Sequence, residues 1–249
     1  MAFKIISVGW NCQDWIDQTL RSVDEQTRTD WEIAVFYDGG DHGRKQIFEW
    51  VKPRSAKAQC CFNAEQHFAV RNQYEGILAL NPEPEDIIVF LDLDGDQLAH
   101  PGVLQRLDDY YADNTLLTYG SYRPIPDPGT TTPAQPFPAD VIAKSSYRQH
   151  FLRGGRCCFN HLRTMKGKVF NAIPPEYFKW PDGRWYDAGT DYLFMLAGLE
   201  LAAERHKYIN ETLLFYNHAN PHADNLSHPA VTNACVEDIL RRSPLGRLP

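Results

Sequence analysis

Three carboxylates stand two residues apart in Asp92-Leu93-Asp94-Gly95-Asp96, directly after the apolar run Ile87-Ile88-Val89-Phe90-Leu91. Carboxylates this close repel one another unless a cation lies among them. A divalent metal that also holds phosphate oxygens is the economical candidate. The plain alternative is an acidic turn open to water. The apolar run has the length and composition of a strand and is far too short to cross a membrane. It reads as a buried, parallel strand of an α/β sheet. Ligands of such open sheets bind beyond the carboxyl ends of the strands, where this turn falls.

Other groups follow the same logic. Residues 7–11 and the turn Asp38-Gly39-Gly40-Asp41 each close an apolar run, and the paired glycines permit a tight bend with exposed backbone N–H groups. Asp191 opens a helical pattern, where the helix terminus stabilises an anion; its plain reading is an ordinary first-turn aspartate. Trp180, Asp182, Trp185 and Tyr186 crowd an aromatic, turn-rich stretch just before it. Aromatic faces stack on sugars while Asp and Arg meet hydroxyls, so this stretch suits an acceptor cleft for a glycan. The same rings could equally pack the base of a loop.

The elements that must position these groups read out in order. Residues 4–8 form a first strand, and Asn11 or Asp14 caps a helix to about residue 26. A second strand at 31–37, a short helix at 46–51 and a short strand at 60–62 follow. A helix at 68–80 is stopped by Asn81-Pro82-Glu83-Pro84, and after the central strand another runs from Pro101 to about Tyr111. This order is that of a doubly wound nucleotide-binding sheet. Beyond it come a strand at 115–121, a proline-rich linker or flap at 124–138 and a basic, flexible Arg153-Gly154-Gly155-Arg156. Thr190 caps a helix to about residue 205, two short strands fall at 207–210 and 212–216, and a last helix spans 231–241.

A chain of 249 residues suffices for one large α/β domain, and 43% hydrophobic with 23% charged residues suits a globular protein. The net charge of -7 argues against nucleic acid or an acidic membrane as partner. No apolar stretch reaches spanning length, and the amino terminus runs into a strand without a signal peptide's separate regions. The adjacent pairs Cys60-Cys61 and Cys157-Cys158 lack zinc spacing and read as buried free thiols, so a reducing, cytoplasmic compartment is expected.

Several motifs occur together in a known order. Ser7-Val8-Gly9-Trp10-Asn11, Ser22-Val23-Asp24-Glu25-Gln26-Thr27, Trp31-Glu32-Ile33 and Tyr37-Asp38-Gly39-Gly40-Asp41 resemble the opening of family 2 glycosyltransferases with the GT-A fold. Asn63, Arg71-Asn72, the Asp92–Asp96 cluster and Pro101 continue the likeness. His161-Leu162-Arg163-Thr164, Gly189-Thr190-Asp191 and Tyr216-Asn217 before Pro221 resemble the acceptor half of bacterial and viral members. The likeness runs over residues 3–225.

That resemblance implies a Rossmann-like, mostly parallel sheet flanked by helices, in a single GT-A domain over 1–249. Residues 1–112 would form the nucleotide-binding half, 113–225 the acceptor and catalytic half, and 226–249 a C-terminal tail and helix. It implies a UDP-, dTDP- or GDP-linked sugar donor with Mn2+ or Mg2+ as cofactor. Val8, Trp10 and Asn11 take nucleotide-sugar positions, Asp38 accepts a uracil-type N–H, and Arg71 lies near the nucleotide. Alternation allows either aspartate pair at the metal; the expected assignment is Asp94 and Asp96 at the metal and Asp92 near the ribose. His218 matches a later metal ligand of some members, against a surface histidine. Asp191 matches the catalytic base. Gly40 departs from the usual serine, and Arg241-Arg242 lacks the Gln-x-x-Arg-Trp pattern of processive synthases. Transfer of one sugar, with inversion, is the function implied.

Three rivals use the same residues. Asp92-Leu93-Asp94-Gly95 also matches the first motif of haloacid-dehalogenase-like phosphatases, although Asp96 stands where they carry threonine. A calcium loop would need Gly and Glu where Gln97 and Val103 stand. The third rival is a catalytically inactive protein that binds nucleotide sugar or glycan.

Overall fold

The computed structural model describes residues 1–126, 134–221 and 228–249. Strand–helix units come first: β1 (Phe3–Gly9), α1 (Ile16–Asp24), β2 (Trp31–Tyr37), α2 (Asp41–Val51), β3 (Ala58–Phe62), α3 (Phe68–Leu80) and β4 (Ile87–Phe90). Then come β5 (Gln97–Leu98), α4 (Val103–Tyr110), β6 (Leu117–Ile125), α5 (Ala139–Ala143), α6 (Tyr147–Leu152) and β7 (Asn160–Lys166). The described chain ends with α7 (Gly167–Asn171), α8 (Thr190–Ala202), β8 (His206–Asn217) and α9 (Pro229–Arg241).

The strands form one sheet in the order β3-β2-β1-β4-β7-β6-β8-β5. β1 lies parallel to β2 and β4, β2 parallel to β3, and β6 parallel to β8. β7 runs antiparallel to β4 and β6, and β5 antiparallel to β8. The chain builds outward from β1 to β3, then returns to lay β4 on the other side of β1. That reversal opens a crevice beyond the carboxyl ends of β1 and β4.

Side chains alternate between two apolar layers. Ile88 and Phe90 join the layer holding α3 and α8, whereas Ile87, Val89 and Leu91 join that of α1, α2 and α4. Both sheet faces are therefore covered, which is why the central strand is apolar throughout.

Several expected boundaries change for physical reasons. Neither Asn11 nor Asp14 caps α1, which begins at Ile16 behind Trp15 with no side-chain cap. Gly189 rather than Thr190 holds the cap position of α8, because the chain enters that helix through φ +81°, a conformation that favours glycine. The two short strands expected after α8 are one strand, β8, whose pairing with β6 shifts register between Gly120 and Tyr122. Parts of the proline-rich segment (127–133) and of the tail (222–227) lie outside the described residues.

The C-terminal helix is fastened by buried charge. Arg148 of α6, 2% exposed, donates to both oxygens of Glu200 in α8, to the Tyr177 hydroxyl and to the main-chain oxygen of Ile239 in α9. Removing one partner strands the other charge in apolar surroundings. Glu200→Gln should therefore lower the unfolding free energy by about 3–5 kcal/mol in denaturant titration. Replacing both groups, Arg148→Met with Glu200→Leu, should cost much less. Equal losses in the two proteins would refute this account.

Candidate active site

Gly95 makes the acidic turn possible. At φ +105° it bends the chain back, and a Cβ there would lie 2.5 Å from the side-chain amides of both Asn217 and Gln18. The bend separates the three carboxylates by environment. Asp92 and Asp94 line a cavity of about 380 Å³, whereas Asp96 is fully buried. Asp96 Oδ1 accepts the Asn217 N–H at 2.9 Å, and its Oδ2 has no hydrogen-bond partner. Asn217 also donates its side-chain amide to the Asp94 main-chain oxygen at 2.7 Å, and Asn220 donates to the Asp94 carboxylate at 2.8 Å.

β7 supplies the facing groups. Its alternation turns His161 and Arg163 to one face, both buried. Asp92, Asp96 and His161 each offer a ligand atom, and these atoms lie within 4.8 Å of one another. Arg163 Nη2 stands 3.0 Å from His161 Nε2 and 3.8 Å from Asp92 Oδ2, while Nη1 is ion-paired with Asp191.

Burial, then the neighbouring Asp94 and Asp92, pushes the Asp96 carboxyl well above the usual aspartate range. Burial raises Asp92 as well, against the opposing pull of Arg163. Burial, with Arg163 adding to it, holds His161 well below the ordinary imidazole value, so at neutral pH the ring is uncharged and keeps a lone pair. An unmatched carboxylate oxygen, a second carboxylate and a neutral imidazole form a donor set that fits a divalent metal.

The structure brings Val8, Trp10, Asp38, Asp92, Asp94 and Asp191 to one cavity. It does not bring Asn11, Arg71 or His218 there. Asn11 sits in the turn after β1 at φ +49°, and Arg71 is ion-paired at 2.8 Å with Glu75 one helical turn on. His218 is exposed, and Tyr122 and Tyr216 pack against both its ring and that of His161. The imidazole of the carboxylate cluster is thus His161, and Asp92 rather than Asp94 joins Asp96 in it.

Asp38 is also differently employed. Its carboxylate accepts from the Asn63 and Asn72 side chains at 2.7 and 2.9 Å and from the His67 and Phe68 N–H groups at 2.9 and 3.0 Å. Three of these donors share Oδ2, and Oδ1 takes the Asn63 amide alone. Asp38 therefore fixes the loop before α3, and its Oδ1 alone keeps an acceptor position.

The aromatic stretch lies away from the cavity. Tyr186 is fully buried, packed at a tilt against Trp180 and bonded through its hydroxyl to Asp238 of α9. Trp185 packs on Tyr74, and Asp182 is exposed and paired with Arg184 at 2.9 Å. Tyr186 is covered by core, Trp180 and Trp185 are half-buried, and none of the three lines the cavity. The cavity wall instead includes Tyr192 from α8 and Thr232 and Val236 from α9, which no local pattern singles out. His161 and Arg163 carried a signal, being polar residues on one face of a strand.

The profile of Glycosyl transferase family 2 matches residues 5–173. The chain belongs to that family. No curated protein matches this glycosyltransferase domain in sequence. Among solved structures it is similar to S. aureus TarS 1–349 in complex with UDP-GlcNAc, at 14% identity and TM-score 0.68, covering 96% of this chain and 64% of that one. It is also similar to glucosyl-3-phosphoglycerate synthase from Mycobacterium tuberculosis in complex with Mn2+, UDP and glucosyl-3-phosphoglycerate, at 14% identity and TM-score 0.61, covering 96% and 78%. The mannosyltransferase PcManGT from Pyrobaculum calidifontis, in complex with GDP-Man and Mn2+, aligns at 13% identity and TM-score 0.55, covering 89% and 57%. These likenesses establish the GT-A fold. The chain spans less than two thirds of the TarS structure's length. No described helix is long and apolar enough to cross a membrane.

The raised Asp96 carboxyl has a measurable consequence. Above the ordinary aspartate value and up to the raised one, the folded state binds more protons than the unfolded state, so metal-free stability falls as pH rises. Asp96→Asn mimics the protonated form and should remove that slope. At neutral pH in chelator it should gain on the order of 1–3 kcal/mol. Denaturant unfolding from acid to neutral pH checks this, and a variant less stable than wild type throughout would contradict it.

Proposed function

We propose that this domain transfers one sugar from a nucleotide-sugar donor to a hydroxyl of a glycan or glycoconjugate, with inversion at the anomeric carbon. The observation that carries this reading is the convergence of Asp92, Asp94 and Asp191 on one cavity beyond β1 and β4. Asp92, Asp96 and His161 are the residues to hold Mn2+ or Mg2+, which reverses the expected roles of Asp92 and Asp94 and leaves Asp94 to meet the ribose. The ion would act as a Lewis acid on the departing diphosphate. Val8 and Trp10 lie where a base can pack against the end of β1. TarS with UDP-GlcNAc, the synthase with UDP and PcManGT with GDP-Man support a nucleotide donor without fixing its base.

Asp191 serves as the base. At the start of α8 its half-exposed carboxylate borders the cavity. It need not be strong, because the acceptor hydroxyl acidifies as its oxygen bonds to the anomeric carbon. With one carboxylate in this role, a single displacement follows. The six free cysteines suit a reducing, cytoplasmic compartment.

A thermal-shift panel of UDP-, dTDP- and GDP-sugars should show one class stabilising the domain in Mn2+ and losing that effect in chelator. Equal stabilisation in chelator would remove the metal from donor binding. At saturating Mn2+, Asp191→Asn should keep donor affinity and cut turnover by ~10²–10⁴. Wild-type turnover in that variant would exclude Asp191, and a product retaining the donor's anomeric configuration would exclude the single displacement.

A further inference from the structure

Arg163 belongs at once to both halves of the proposed reaction centre. It is 4% exposed, and its immediate surroundings include Gln73, Phe90, Phe194 and Met195. One Nη lies nearest His161 Nε2, at 3.0 Å against 3.4 Å to Nδ1, and 3.8 Å from Asp92, while the other is paired with Asp191. Its Nε has no partner. His161 and Asp92 are the groups that would also hold the metal.

These uses of His161 exclude each other. A ring nitrogen that accepts from Arg163 carries no proton, so acceptance at the nearer Nε2 leaves the neutral ring's proton on Nδ1. A metal needs a bare ring nitrogen. Binding at Nδ1 would move the proton to Nε2, and two N–H donors would then face one another across 3.0 Å. Binding at Nε2 would place the ion where the guanidinium now donates. In either case the hydrogen bond from Arg163 is lost, and the two cations compete for Asp92 as well. The displaced guanidinium has apolar neighbours on one side and Asp191 on the other.

We infer that Arg163 is a positioning residue that changes partners when the cation site fills, giving up His161 and Asp92 and committing to Asp191. Donor loading thereby fixes the carboxylate of the base, since a guanidinium holding it through two parallel N–H bonds restrains both position and plane. This rests on the metal and base assignments proposed above. Linkage makes the coupling reciprocal: an intact Asp191 must favour metal binding by giving Arg163 somewhere to go.

The test is Mn2+ affinity, measured by calorimetry on the full chain without donor. Arg163→Met removes the competing cation and should bind Mn2+ more tightly, by a factor within the roughly 5–150-fold range typical of such couplings. Asp191→Asn should bind Mn2+ more weakly than wild type, and the double variant should match Arg163→Met. A purely structural role would weaken binding in both single variants. Unchanged or weaker binding by folded Arg163→Met overturns the inference, as does unchanged binding by Asp191→Asn. Should Arg163→Met fail to fold, Arg163→Gln, which is polar and uncharged, takes its place: tighter Mn2+ binding supports the inference, and unchanged or weaker binding overturns it. Absence of Mn2+ binding in every protein overturns the inference together with the metal assignment. Binding that ignores both substitutions overturns the inference alone and leaves the proposed transfer standing.

Discussion

The carboxylate of Asp96, shut from water at the end of the central strand with one oxygen unmatched, constrains much of what surrounds it. A buried charge without a partner costs several kcal/mol, and Asp92 and Asp94 add repulsion. The fold answers with long-range contacts. Gly95 folds the turn tightly enough for the Asn217 N–H to reach Asp96, and the Asn217 and Asn220 side chains hold Asp94. β7 brings His161 and Arg163 against the other side. Since β7 and β8 come from the second half of the chain, the acidic turn ties the two halves together. The charge is balanced only in part, and the deficit is one that a divalent cation would relieve.

The opposite wall of the cavity depends on a different use of charge. α9 contributes Thr232 and Val236, and it is held by the fork of Arg148, whose nitrogens reach Glu200, Tyr177 and Ile239. Glu200 in turn accepts the Leu245 N–H beyond that helix. Apolar packing alone would leave such a helix able to slide along its groove. A buried, directional ion pair adds less net stability than its contact suggests, but it selects one position among several.

Much of the fold was legible because it is written locally. β1, β2, β4 and α3 show their period or apolar run within a few residues, and their bounds fall close to those read from the sequence. The acidic turn was visible for the same reason. The choice of ligands was not, because it follows from pairing across the sheet. β4 and β7 pair with Phe90 opposite Arg163, and extending that antiparallel register by two residues sets His161 beside Asp92. No spacing within either strand reveals it, and the resemblance pointed to His218 instead. The aromatic stretch was ambiguous for another reason. Trp180, Trp185 and Tyr186 have faces that suit a sugar and a core equally, and composition does not say which side α9 will cover.

Four aspartates at the mouths of these strands and helices illustrate what separates structure from chemistry. Asp38 receives four donors, two of them backbone N–H groups, and three of the four crowd one oxygen. It is scaffold, although it borders the cavity. Asp96 receives one donor and is buried, so its second oxygen can be completed only by a cation or a proton. Asp92 has a guanidinium 3.8 Å away and faces the cavity, so it can trade that partner for another. Asp191 is paired with the same guanidinium but half-exposed, so its carboxylate can meet a hydroxyl arriving from solvent. The side chain is the same in all four. What differs is how many donors the surrounding backbone and side chains commit to it, and a carboxylate is available for chemistry in proportion to what they leave unmet.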